Sequence, residues 1–421
     1  MSYNIAAIDI HKKVLMVVVA AVAEEVADAT GAALEFDCRK FGSGAAERSH
    51  LVSWLQQRQV REVVMESTAQ YWKPVWLDLE PHFEKLHLAQ AQSNRAPKGR
   101  KNDFRDAKRL GRRLLAGELL LSFVPEPEQR TWRLMTRGRL QLVRERVRLQ
   151  NQVEALLEEM RIKLSSVISD LFGVSGRRIL EALSKGETDA GKLAELGDER
   201  LQCSKEQLAD ALRGAPERSH LALLKMHLER LRLLDEQIAQ LGQMTATALK
   251  TDEQAVIRLA QVPGFGVASA QQMIAEAGVD AEAFASAGEF ASWSGICPGS
   301  DVSAEENHSS RSPKGNRYVR RILTEAAQAA VKKKGSHFQN VFRRFLVKQG
   351  YAGAIWVVAH RLARLVWKIL HDDVSYIEQG EETNPKARQR RAQKLAKALR
   401  KLGYSVTLAD LHPAPLPAAN A

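Results

Sequence analysis

Four acids and a run of serines are the residues of this chain whose types and spacing suit phosphoryl chemistry. Asp9 closes the apolar stretch NIAAIDI, and Glu66 closes VREVVMES. Asp103 and Asp106 lie within GRKNDFRDAKRLGRR. Nine of the nineteen residues from Arg95 to Arg113 are Lys or Arg, and only these two acids oppose them. Spaced three apart, the two carboxylates share one face if the segment is a helix. Taken singly, each acid has an ordinary reading: a strand-end Asp is usually a turn or cap residue, and D-x-x-D in a basic helix is usually surface ion pairing. The ordered set carries more. Carboxylates gathered in one place resist joint ionisation unless a cation neutralises them. Mg²⁺ takes such hard oxygens and keeps waters for phosphate, and paired metals clamp the attacking and leaving oxygens of a phosphodiester. Arg95, Lys98, Arg100 and Lys101 would then hold the nucleic-acid backbone.

A second constellation lies in the C-terminal half. RLAQVPGFGVASAQQMIAEAG (258–278) reads as a helix–hairpin–helix, in which Gly264 and Gly266 permit a tight turn. Its backbone N–H groups and the following helix start can meet a phosphate. FASWSGICPGSDVSAEENHSSRSPKGNRYVRRILTEAA (290–327) follows, with serines in a loop before Lys314, Arg317, Arg320 and Arg321 open an amphipathic helix. A serine beside cations can act as a nucleophile. Chemistry alone leaves Ser300, Ser303, Ser309, Ser310 and Ser312 all open.

The elements that must position these groups read as follows. NIAAIDI and VLMVVVA form a β-hairpin, LEFDCRKF (34–41) a third strand, and ERSHLVSWLQQR (47–58) a helix. VREVVMES (60–67) is a buried strand, residues 71–83 a helix and LHLAQ (86–90) a strand. A meander followed by alternating helix and strand is the order of an RNase H-like (RuvC-like) α/β domain, placed at 1–125. Trp132, Met135, Leu142, Leu149, Val153, Leu156 and Met160 fall on one seam, interrupted by Arg139 and Arg146. Leu221, Leu224, Leu228, Leu231, Ile238 and Leu241 form another. Two arms of an antiparallel helical pair are expected over 126–250, serving as spacer and oligomer contact, with turns at LFGVSGRRI and KGETDAGKL. Residues 251–372 read as an all-α domain with the serine loop, and 373–421 as a polar tail with eight basic residues and no acids from 383 to 408.

A chain of 421 residues carries two or three cores. Its formal charge of +12 favours an anionic partner, nucleic acid before a membrane surface. Cys38, Cys203 and Cys297 have no C-x-x-C spacing, which argues against a disulfide framework or structural zinc and fits a cytoplasmic protein. Lys12-Lys13 before VLMVVVAAVA imitates a signal peptide, but the strand-like run containing Asp9 is wrong for its leading segment, and the apolar stretch is too short to span a bilayer.

IDIHKK, MESTAQYW, KNDFRDA, VPGFGVASA, SWSGICPGSDVSA, SPKGNRYVRRIL and HRLARLVWKIL, in this order, resemble the bacterial insertion-sequence transposases with a DEDD-type RuvC-like domain. Studied members of that family are recombinases guided by a bridge RNA. The resemblance runs from about residue 3 to 372. It implies metal-binding acids at Asp9, Glu66, Asp103 and Asp106, Mg²⁺ as cofactor, and a nucleophilic serine five residues after Pro298, which is Ser303. It further implies double-stranded DNA as substrate, a noncoding guide RNA, and a homo-oligomer (dimer or tetramer) in which the acids of one subunit meet the serine of another. Two other readings remain open at this point: a metal-dependent nuclease of the junction-resolving kind using only the four acids, and a non-enzymatic nucleic-acid-binding protein.

Overall fold

The computed structural model describes residues 2–23, 35–67, 69–91, 103–298, 301–303, 306–309, 312 and 314–378, with single positions at 393, 396, 397, 400, 405 and 407. Arg95, Lys98, Arg100 and Lys101 lie outside the described residues, as do Ser300, Ser310 and most of the tail. Two compact units divide the chain, Met1–Pro125 and Glu126–Ala421.

The first unit is built on β1 (Ser2–Ile10), β2 (Val14–Ala23), β3 (Phe36–Gly42), α1 (Ala45–Gln57), β4 (Val60–Glu66), α2 (Trp72–Leu79), β5 (Lys85–Ala89) and α3 (Asp103–Leu115). The strands form one sheet in the order β3-β2-β1-β4-β5. β1 pairs antiparallel with β2 and parallel with β4. The run that imitates a signal peptide is therefore β2, the second strand of the sheet. The expected helix over 71–83 stops at Leu79, two residues before Pro81, whose missing N–H cannot continue the ladder.

Side-chain alternation gives the sheet two apolar faces. Ala6, Ile8 and Ile10 of β1, with Val63 and Met65 of β4, pack into one core with Leu51, Leu55, Val75 and Leu79 of α1 and α2. Ala7 and Val64, one residue out of phase, face Ala107 and Leu110 of α3. This second face is made of small residues, so α3 comes close: a Cβ on Gly111 would stand 3.4 Å from that of Ala7.

The second unit opens with α4 (Pro127–Glu159), followed by α5 (Leu164–Val167), α6 (Val174–Ser184), α7 (Ala190–Ala194), α8 (Lys205–Ala211) and α9 (Arg218–Ala248). α4 and α9 are the expected antiparallel arms. Gly138 faces Leu241 near one end, and Leu156 shares a core with Leu224 near the other. Arg146, which breaks the apolar seam, crosses to Asp235 at 3.2 Å, and Arg177 of α6 meets the same carboxylate at 2.7 Å. The segment between the arms is more than turns. LFGVSGRRI enters α6, whose Ile179, Leu180 and Leu183 join Leu193, Leu208 and the ends of both arms in a core of their own.

α10 (Glu253–Ala260), α11 (Val267–Ala277), α12 (Ala287–Trp293), β6 (Asp301–Ser303), β7 (Glu306–Ser309), α13 (Arg317–Ala330) and α14 (His337–His371) complete the unit. α14 is broken at Gly350, where φ is +68°. Trp132 and Met135 from the start of α4 enter the large core of these helices. The expected serine loop holds a two-stranded hairpin, β6 with β7.

Candidate active site

Strand register explains how two of the acids meet. Ala7 stands beside Val64 and Ile8 beside Met65 in the parallel pair of β1 and β4. One step further along come Asp9 and Glu66. With a period of two, Asp9 follows Ala7 and Glu66 follows Val64 onto the face covered by α3. Asp106 sits on α3 immediately before the buried Ala107, so the helix that covers this face brings a third acid to it.

The electrostatics agree with that placement. Burial pushes the Glu66 carboxyl above its ordinary value, and the charges of Asp9 and Asp106 push it the same way; Arg109 and His11 pull it back. His11 Nε2 stands 3.3 Å from Asp9 Oδ2, and Arg109 Nη1 stands 3.2 Å from Asp106 Oδ1. Neither His11 nor Arg109 was singled out by the sequence, although both lie within three residues of an acid that was. Asp9 is 13% exposed and Asp106 28%, so both carboxyls are partly buried and still reach solvent. Asp103 begins α3, and its side chain lies outside the described residues.

Carboxylates grouped at one end of a sheet suit a hard divalent cation. Among the described residues, no three ligand side chains are drawn to a shared ligating distance. The donor chemistry fits nonetheless: carboxylate oxygens are the preferred ligands of Mg²⁺, and a cation would relieve the Glu66 carboxyl, which is pushed up first by burial and then by Asp9 and Asp106.

The second constellation lies in the other unit. Ser303 ends β6, paired through its Cα with Glu306, so its backbone stands at the tip of the hairpin. Ser309 pairs with Asp301 at the opposite end of the hairpin, and Ser312 lies beyond it. The root of the hairpin is tightly closed. A Cβ on Gly315 would fall 2.2 Å from Gly295 N, so only glycines allow the two chain segments to touch. Asn316 N–H donates to Trp293 O at 2.9 Å, and Arg320 donates to Gly295 O at 2.8 Å. Asn316 then caps α13, its side-chain oxygen accepting from Tyr318 N and Val319 N.

Behind this root lies a network that sequence reasoning missed. Glu276 of α11 is fully buried. Arg137 of α4 donates to both its carboxylate oxygens at 2.7 Å, and Asn316 donates to one of them at 2.8 Å. Arg133 donates to Ala275 O at 2.9 Å, and burial lowers its pKa to about 10. The available signal was an acid in the apolar MIAEAG, a place where an acid needs a cation.

The predicted cations of α13 divide by role. Lys314 and Arg317 are exposed. Arg320 pins the hairpin root and lies over the Trp356 ring, while Arg321 donates to Gln272 and Glu325 at 2.7 Å each. The helix–hairpin–helix consists of α10, the turn and α11. Gly264, at φ +91°, presses its Cα against α13: a Cβ there would lie 2.1 Å from Ala326 O. Gly266 faces open space, and its N–H is held by Ser269 Oγ at 2.9 Å.

Comparison with known proteins meets this geometry at both sites. Residues 6–162, which contain all four acids, match a DEDD transposase family model. Residues 257–343, which contain the hairpin and its basic helix, match the model described as Transposase IS116/IS110/IS902 family. Both matches are to insertion-sequence transposases of the IS110/IS116 type. The chain is also similar to a probable family 20 transposase of Pseudomonas aeruginosa, at 26% identity over 357 residues, covering 79% of this chain and 94% of that protein. The basic balance of the chain, +12 in formal charge, suits an anionic partner. Among the described residues no helix is long and apolar enough to cross a membrane.

Proposed function

We propose that this protein is a DNA transposase and recombinase that cuts and rejoins DNA through Ser303, with Asp9, Glu66, Asp103 and Asp106 holding Mg²⁺ in an RNase H-like (RuvC-like) domain. The observation that carries the reading is the meeting of Asp9, Glu66 and Asp106 at one end of the sheet. The strand order, antiparallel from β3 to β1 and parallel from β1 to β5, is that of an RNase H-like sheet. Mg²⁺ bound there would lower the cost of charge developing on the phosphodiester oxygens.

The residues of the chain do the rest. Ser303 Oγ gives up its proton to solvent as it bonds to phosphorus, and the bond from phosphorus to the departing sugar oxygen breaks. The sugar oxygen takes up a proton, and the phosphate stays linked to serine. Attack by a hydroxyl of a second strand reverses the step and releases Ser303. Lys314 and Arg317 hold the phosphate, the exposed Gly264–Gly266 turn approaches the backbone, and Arg95, Lys98, Arg100 and Lys101 bind the strand near the acids. The acids and the hairpin belong to different compact units, and we read the active form as a dimer or tetramer that supplies acids from one subunit and serine from another. Sequence choice falls to a noncoding RNA, leaving the protein to hold backbone and shape.

Ser303→Ala should abolish strand exchange and leave DNA binding intact, while Ser303→Cys keeps a trace. Denaturing gels of labelled DNA should show a protein-linked species only when Ser303 is present. Recombination by Ser303→Ala, or an adduct on Ser300 or Ser309, would sink the assignment. Cleavage that survives Ser303→Ala and is lost in Asp9→Asn would make the chain a metal-dependent nuclease instead.

A further inference from the structure

The last helix carries a cation-rich cavity that neither constellation uses. It has a volume of about 490 Å³ and is lined by His360, Arg361 and Arg364 of α14, His337 at the start of that helix, and Tyr376 and Ile377 of the segment beyond it. Positions 360, 361 and 364 share a helix face, so one imidazole and two guanidiniums open on the same space. Burial, then the charges of Arg364 and Arg361, hold His360 below its ordinary value. The positive charge at neutral pH therefore comes from the two arginines. Arg361 Nη1 stands 3.5 Å from His337 Nε2, and among the described residues neither Arg361 nor Arg364 forms an ion pair with an acid.

The opposite wall is aromatic and fixed. The Tyr376 ring lies nearly parallel to Phe338, 6.4 Å between centroids and 16° between planes, and Phe338 is buried. The segment carrying Tyr376 is fastened at both ends. Arg258 pairs with Asp373, and Glu378 accepts from His337 N–H at 2.9 Å and faces Lys333. Burial and then Glu378 raise the pKa of the Tyr376 hydroxyl, so this carboxylate also borders the tyrosine.

We propose that this cavity receives one nucleotide of a DNA strand, its phosphate between Arg361 and Arg364 and its base along Tyr376. Two guanidiniums match phosphate oxygens by geometry as well as charge. An aromatic ring beside such a pair is the usual platform for a base, and the volume is within the range of small-ligand sites. The cavity has one link towards the hairpin root, through Arg364 and Cys297. Arg364 lies close enough to Cys297 to act on its thiol, and Cys297 opens the segment that leads to Ser303. A nucleotide seated here would fix the strand close to that root. The proposal rests on the reading that the chain acts on DNA.

The test uses the full-length protein and a single-stranded thymidine oligonucleotide with one 2-aminopurine. The double variant Arg361→Gln/Arg364→Gln should bind more weakly, with its slope of log affinity against log salt reduced by about 0.7, the value for one phosphate contact on a single strand. Tyr376→Ala should keep the slope, lose roughly fivefold or more in affinity, and restore the 2-aminopurine fluorescence quenched in the native protein. Ile377 is 79% exposed, so Ile377→Glu places a carboxylate at the cavity without disturbing the core. It should weaken binding even if the arginine variant fails to fold. Unchanged affinity and slope in all three variants would overturn the proposal. Strong competition by thymidine monophosphate or inorganic phosphate would also overturn it, by assigning the cavity to a small anion. A native protein that binds no DNA at all would instead remove the DNA-directed reading beneath it.

Discussion

Glu66 is the residue whose environment says most about the site. Its carboxyl is half-buried beside two other acids, and each of these influences raises its pKa. The sign of the consequence follows. A carboxyl with a raised folded-state pKa binds protons more readily folded than unfolded, so its ionised form destabilises the native state. That penalty is complete above the raised pKa and disappears as pH falls towards the ordinary value of 4.5. In a chelator, Glu66→Gln should therefore melt at a higher temperature than the native protein at neutral pH, and the gap should close on acidification. A native protein more stable than Glu66→Gln at pH 7 would show that the acids are not crowded. At this scale the positions of Asp9 and Glu66 near strand ends were readable from the apolar runs they close, and that of Asp106 on a helix from its three-residue spacing to Asp103. Glu276 and Arg137 were not: their pairing spans 139 residues, and no local pattern joins them.

Among the elements, the helix–hairpin–helix turn separates two uses of glycine. Gly264 has a left-handed φ, and its Cα touches the α13 backbone. Gly264→Ala must strain the turn and push α11 from α13, at a cost of about 2–4 kcal/mol. Gly266 has an ordinary φ and open space around it, so Gly266→Ala should cost under about 1 kcal/mol, a capping preference alone. Thermal melts of the two variants compare them directly, and equal losses would contradict the close approach. The strands, the long arms and this turn were readable because each imposes its own period or its own glycine spacing. The small helices between the arms were missed because Gly173, Gly176 and Gly186 read as punctuation. Gly176 lies inside α6, where a Cβ would fall 2.0 Å from Leu171 O. There a glycine serves close packing rather than a turn. The β6–β7 hairpin was hidden for a different reason, since strands of three and four residues are too short to establish a period.

For the molecule as a whole, the excess of positive charge does not say which cations meet DNA. The structure distinguishes those occupied within the fold. Arg320 and Arg321 sit at the right end of α13 for phosphate, yet one closes the hairpin root and the other ties α13 to α11. Replacing them with Gln should lower the melting temperature more than it changes DNA affinity. Lys314 and Arg317 are exposed, and Arg95, Lys98, Arg100 and Lys101 crowd the approach to the acids in sequence. Each contact these residues make with duplex phosphate should contribute about 0.9 to the slope of log affinity against log salt. Lys314→Gln/Arg317→Gln should lower that slope by about 1.8, and neutralising all four cations of residues 95–101 by up to about 3.6, with the melting temperature unchanged in both. Titrations of one duplex at several salt concentrations give the slopes. If the slope stays constant when Lys314 and Arg317 are neutralised, and falls only with Arg320 and Arg321, the division between structural and DNA-facing cations drawn here is reversed.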